Sequence, residues 1–144
     1  MIVFISCTKK KNTVPCTAKE MYSASTWFRK AYQYAESLNP SAIYILSAKY
    51  GLLTPNDMIS PYEKTLLAEK DIELRRWAVM VMKQIKEHGI DLSEKAIFLC
   101  GKNYRKYIQR LFPNQLAPCA HMGIGEQLKY FSERVRKPLE KNQQ

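Results

Sequence analysis

Met1-Ile2-Val3-Phe4-Ile5-Ser6, followed at once by Cys7-Thr8-Lys9-Lys10-Lys11, is the stretch that decides the fold. Five apolar residues rich in β-branched and aromatic side chains, with no polar alternation, read as a strand buried on both faces. A signal peptide would place its basic residues before the apolar run, whereas here they follow it, so we read a strand and expect a cytoplasmic protein. Moving outward, Ala42-Ile43-Tyr44-Ile45-Leu46-Ser47 and Lys95-Ala96-Ile97-Phe98-Leu99-Cys100 repeat the pattern, and Gln115–Cys119 is a shorter version of it.

Helical periodicity fills the gaps. Met21, Ala24, Phe28, Ala31, Ala35 and Leu38 recur at spacings of three and four, which predicts an amphipathic helix over residues 18–38, stopped by Asn39-Pro40. Leu74, Ala78, Val81 and Ile85 mark a helix over residues 69–88, closed by Gly89. Residues 103–112 and a last helix from Ile124, ending before Pro138, complete the alternation. Residues 48–68 read as a long irregular connection. Strand–helix repetition of this kind predicts a three-layer, Rossmann-like α/β fold: a mainly parallel sheet of about four strands flanked by helices. We expect one domain over residues 1–138 and a frayed tail over 139–144.

The chain of 144 residues is 46% hydrophobic, which excludes a disordered or fibrous protein, and no apolar run is long enough to span a bilayer. Twenty-three basic against thirteen acidic residues leave a net charge of +10, an excess suited to polyanionic partners and equally to a solubilising surface. Cys7, Cys16, Cys100 and Cys119 contain no Cys-x-x-Cys pair. A set of Cys7, Cys16, Cys119 and His121 matches no zinc spacing, so we expect reduced thiols and no metal.

Open parallel sheets bind ligands beyond the carboxyl ends of their strands. That rule brings together Ser6 to Lys11, Ser47 to Gly51, Gly101 to Tyr104 and the segment from His121 to Glu126. In the pocket so formed, Ser6, Lys9, Ser47, Lys49 and the Gly123-x-Gly125 turn hold phosphate, with Gly51 and Gly101 letting backbone approach and Tyr104 alongside. Tyr50 and Tyr62 wall a base. For chemistry, Asp57 is the candidate polar or catalytic group, and Cys7 the candidate nucleophile, with His121 within reach of it. Glu63 is a second carboxylate in the same connection. His88 reads as a partner for helix-end carbonyls. Neither a Walker lysine motif nor a complete dinucleotide fingerprint is present, and no cofactor is expected.

Ser6-Cys7-Thr8-Lys9-Lys10, Ala18-Lys19-Glu20-Met21-Tyr22, Trp27-Phe28-Arg29-Lys30-Ala31, Ser47-Ala48-Lys49-Tyr50-Gly51-Leu52, Pro61-Tyr62, Thr65-Leu66 and Met122-Gly123-Ile124-Gly125-Glu126-Gln127-Leu128 together resemble a family of bacterial and phage domains of unknown function. More distantly the chain is similar to YaaA-type proteins and to a domain accompanying archaeal tRNA-guanine transglycosylases, with a core like that of uracil-DNA glycosylases. The resemblance implies a nucleic-acid or modified-base setting. The glycosylases' water-activating motif is missing, which argues against simple uracil excision. We therefore expect a protein that binds a nucleotide or nucleic-acid base at the strand ends and acts on a modified base or an N-glycosidic bond. Two alternatives use the same features: a non-catalytic DNA- or RNA-binding module, and a factor that binds a protein partner, as in a phage–host contest.

Overall fold

In the computed structural model, which describes the backbone of residues 1–143 and the side chains of 1–135, the quoted stretch forms the central strand β1 (Ile2–Ser6). It pairs in parallel with β3 (Ala42–Ser47) on one side and β6 (Ala96–Leu99) on the other. A short β7 (Gln115–Leu116) extends the sheet in parallel beyond β6. An antiparallel strand β4 (Gly51–Leu53) closes the opposite edge, giving the order β4-β3-β1-β6-β7. The fold is thus a mixed, mostly parallel α/β sheet with flanking helices, a three-layer Rossmann-like architecture.

Every residue of β1 is buried, as a strand covered by helices on both faces requires. Phe4 stacks on Phe98 with ring centroids 4.9 Å apart and meets Tyr44 and Phe112 at 5.7 and 5.5 Å. Truncating such a ring to alanine in a packed core costs about 3–5 kcal/mol. Helix α2 (Thr26–Ser37) packs against α5 (Ile124–Gln143). Tyr34 stacks on Phe131, and the Trp27 indole N–H donates to Gln127 Oε1 at 2.7 Å. Helix α3 (Asp71–Glu87) lies along the β3–β4 edge, where the Trp77 indole donates to the Ser47 carbonyl at 2.9 Å.

Local chemistry corrects several boundaries. The helix expected over 18–38 is two helices, α1 (Ala18–Tyr22) and α2, because Thr17 and Ser25 each cap a separate start by accepting a backbone N–H. Asn39 ends α2 in the left-handed conformation just before Pro40, as the sequence indicates. Instead of a continuous helix over 103–112 there is one turn, α4 (Lys102–Arg105), and a 3-10 turn (Gln109–Leu111). The connection 48–68 is less irregular than its composition suggests. It contains β4 and a strand β5 (Met58–Ile59) paired antiparallel with β2 (Cys16–Thr17). The turn into β4 depends on Gly51, whose φ of +75° is strained for any side chain. Gln84 of α3 spans this turn, accepting from Leu52 N–H at 2.8 Å and donating to the Tyr50 carbonyl at 3.0 Å. The last helix extends past Pro138, and the frayed tail expected for 139–144 falls outside the residues whose side chains are described.

Candidate functional site

The parallel strands end at a cleft of about 390 Å³, open to solvent, within the size range of small-molecule sites. Its floor is built from the ends of the central strands: Ser6, the last residue of β1, with Cys7 after it, and Leu99, the last residue of β6, with Cys100 and Gly101 after it. Cys119 and Ala120 close one side, with Ile124 and Gln127 of α5 and Trp27 of α2 above them. Opposite stand Tyr104 and the rim residues Thr65 and Leu67. The cations are Lys9, Lys102 and Arg105, and among the described residues no carboxylate lines the cleft.

Arg105 is the most telling of the three. Its Nη1 donates to Gln109 Oε1 at 3.3 Å, but its Nε is fully buried and has no hydrogen-bond partner. A buried donor left unsatisfied costs about 1–3 kcal/mol, and such atoms are rare in folded proteins. Lys102 and Arg105 stand three residues apart, on one side of the α4 turn, so the segment following β6 aims both at the same hollow.

Beneath the cleft lies a network of hydroxyls and a thiol. The Tyr62 and Tyr22 hydroxyls are 2.7 Å apart, Tyr62 and Ser47 Oγ 2.8 Å, and Ser47 Oγ accepts from Tyr50 N–H at 3.0 Å. Cys7 Sγ donates to the Tyr104 hydroxyl at 3.5 Å, and the same oxygen accepts from Leu66 N–H at 3.3 Å. Burial first, and then the proximity of the Cys7 sulfur, push the phenols of Tyr22, Tyr62 and Tyr104 well above the ordinary range. They are therefore neutral hydroxyls at physiological pH. Burial likewise raises the Cys100 thiol strongly and pushes the Cys119 thiol up to about 11, leaving both protonated.

Segment 60–70 has no regular structure but is fastened as a strap across this edge. Tyr50 holds one end, its hydroxyl donating to the Ser60 carbonyl at 3.3 Å and accepting from Ser60 N–H at 3.2 Å. Tyr62 plugs into the hydroxyl network. Leu66 is buried, its carbonyl accepting from Asn103 Nδ2 at 2.7 Å.

The expected site is thus assembled in part. Ser6, Cys7, Lys9, Gly101 and Tyr104 line the cleft together. Ser6 Oγ is already engaged, accepting from Gly101 N–H at 3.4 Å and tying β1 to β6. Ser47 is fully buried below the cleft, and Tyr50 and Tyr62 serve the strap instead of walling a base. Lys49 lies over the Tyr50 ring beside a separate hollow that contains Glu69 and Glu73. Gly51 is a turn residue, packed under Gln84. Gly123 and Gly125 face open space and do not line the cleft; Ile124 between them does. Asp57 is also elsewhere: its carboxylate accepts from Thr54 N–H at 2.8 Å and closes a loop turn. Exposed Glu63 and His121 do not line the cleft either. Among the described residues no group of three or more His, Cys, Asp or Glu is placed to hold a metal ion. Sequence reasoning brought Lys102 to the pocket only as part of the Gly101 to Tyr104 segment, and singled out neither it nor Arg105, Trp27 or Gln127 as a site residue. The signal for the first two was the Gly-Lys-Asn-Tyr-Arg run directly after a strand.

A mostly parallel sheet, helices on both faces and a basic cleft over the strand ends define an α/β protein of Rossmann-like architecture. Within that class the chain belongs to DUF6884, a family of unknown function, whose model matches residues 2–133. No curated protein matches the chain. Among the described residues no helix is long and apolar enough to cross a membrane.

Proposed function

We propose that the protein binds a nucleotide, free or as part of a nucleic acid, in the cleft at the carboxyl ends of β1 and β6. Lys9, Lys102 and Arg105 hold phosphate, while Trp27, Tyr104 and Ile124 supply the apolar and aromatic surface against which a base packs. The observation that carries this reading is the charge balance of the lining, three cations and, among the described residues, no carboxylate. The planar guanidinium of Arg105, which lines the cleft, is suited to a phosphate.

Any chemistry on the bound base falls to Cys7 and not to Asp57, since Cys7 is on the floor beside Tyr104 and Asp57 is engaged in its turn. Thermal denaturation with nucleoside monophosphates tests the binding. Ligand at about 100 times its Kd raises stability by about 2.7 kcal/mol. Arg105→Gln is expected to abolish most of that gain while leaving the unliganded protein folded. An equal gain in the variant, or none in the wild type with any nucleotide, refutes the proposal.

A further inference from the structure

The segment after Gly101 carries more positive charge than the cleft uses. Lys102-Asn103-Tyr104-Arg105-Lys106-Tyr107-Ile108-Gln109-Arg110 contains four cations and no carboxylate in nine residues. Lys102 and Arg105 line the cleft, but Lys106 and Arg110 turn outward to a second cluster. There Lys106 Nζ, Arg110 Cζ and Arg75 Cζ lie 5.2, 5.3 and 5.6 Å from the centre of the Tyr107 ring. One carboxylate serves this group. Asp71 accepts from Arg75 at 2.8 Å, from Lys106 at 3.0 Å and from the Tyr107 hydroxyl. Arg110 makes no ion pair among the described residues, and the cluster keeps an excess of positive charge at the solvent surface. Because Arg105 and Lys106 are consecutive, the cluster adjoins the cleft along one short stretch of chain.

We infer that the ligand is a single-stranded nucleic acid, one nucleotide entering the cleft while the neighbouring backbone phosphates lie on the cluster of Arg75, Lys106 and Arg110. This inference rests on the nucleotide reading of the cleft and extends it. Asp71 offsets only part of the outer charge; a free nucleotide leaves the remainder, Arg110 included, without a counter-charge, whereas a polynucleotide supplies one at each residue. The cleft has room for a single nucleotide unit, and a base paired within a duplex is not available to it.

The test compares wild type with an Arg75→Gln/Lys106→Gln/Arg110→Gln triple variant, using oligo(dT) and oligo(U) of about eight nucleotides beside dTMP and UMP. All three positions are solvent-facing, and circular dichroism checks that the variant is folded. The wild type is expected to bind at least one oligomer about tenfold or more tighter than its monomer. The variant should lose that advantage, keep monomer affinity within about twofold, and show a salt dependence shallower by about 0.7 for each phosphate released. Preference between the oligomers reads out the 2′-hydroxyl and the thymine methyl group together, and oligo(dU) separates the two. Wild-type oligomer binding no tighter than monomer, an unchanged triple variant, or equal affinity for duplex overturns the inference and leaves the cleft reading standing. Absence of both oligomer and monomer binding overturns the two together. The wild-type salt dependence needs no variant: a flat response also overturns the inference.

Discussion

Tyr104→Phe isolates the link between the strap and the floor of the cleft. The ring is 5% exposed and lies edge-on to Trp77 with centroids 5.7 Å apart, so phenylalanine keeps the packing and removes only the oxygen. That oxygen accepts from Leu66 N–H at 3.3 Å and from the Cys7 thiol at 3.5 Å. Leu66 is buried, so its amide is left without an acceptor, a loss of about 1–3 kcal/mol; the weak S–H donor adds little. The expected change is a fall of that size in urea unfolding at unchanged m-value, and a melting temperature lower by roughly 4 °C per kcal/mol. Amide exchange gives the local readout. Leu66 should lose protection, while the Asn103 contact to its carbonyl keeps the rest of the strap in place. A change below about 0.5 kcal/mol with Leu66 protection unaltered would refute the claim that Tyr104 couples strap to floor.

Tyr62→Phe breaks both short hydroxyl contacts below the cleft. It should cost about 1–3 kcal/mol and speed proteolysis within 60–70 without weakening nucleotide binding, measured by denaturation, limited digestion and titration. Gly51→Ala places a Cβ against Gln84 Oε1 and 2.9 Å from Met80 Cε, in a left-handed backbone. Left-handed strain of about 1–2 kcal/mol and a displaced Gln84 together give a loss of about 2–5 kcal/mol in urea unfolding. Hydrogen bonds from Tyr107, then Lys106, lower the Asp71 carboxyl from 3.8 to about 2. A depressed folded-state value stabilises above the unfolded value and is lost as pH falls through the folded one. The stability gap between wild type and Asp71→Asn should therefore be constant above about pH 5 and close between pH 4 and 2, as followed by denaturation at graded pH.

The parallel core was legible because burial on both faces leaves a continuous apolar run, and β1, β3 and β6 each have one. A cleft over the strand ends is where the topology of that sheet leads one to look. What stayed hidden depends on side-chain direction. Ser47 ends β3 and Cys7 directly follows β1, yet one is sealed under Tyr62 and the other reaches the cleft floor. Likewise Lys49 and Lys102 each stand just past a strand end, but β3 turns back antiparallel into β4 while β6 runs on into α4, so only the second faces the hollow. Asp57 resembles a catalytic carboxylate in sequence because a turn cap and a general base use the same residue type. The gap in the 18–38 helix was masked by an apolar spacing that continues across Ser23-Ala24-Ser25.

The strap separates two tasks along one run of chain. Tyr62 and Leu66 are anchored inward, while Thr65 and Leu67, beside Leu66, are exposed at the mouth with Leu67 71% accessible. Thr65 still holds the local turn, its hydroxyl accepting from Leu67 N–H at 3.2 Å, but substitution of the Leu67 side chain alters the shape of the entrance without disturbing what fastens it. The shape of the mouth can therefore drift, or be engineered, at Leu67 independently of folding, a tunable aperture on a fixed frame.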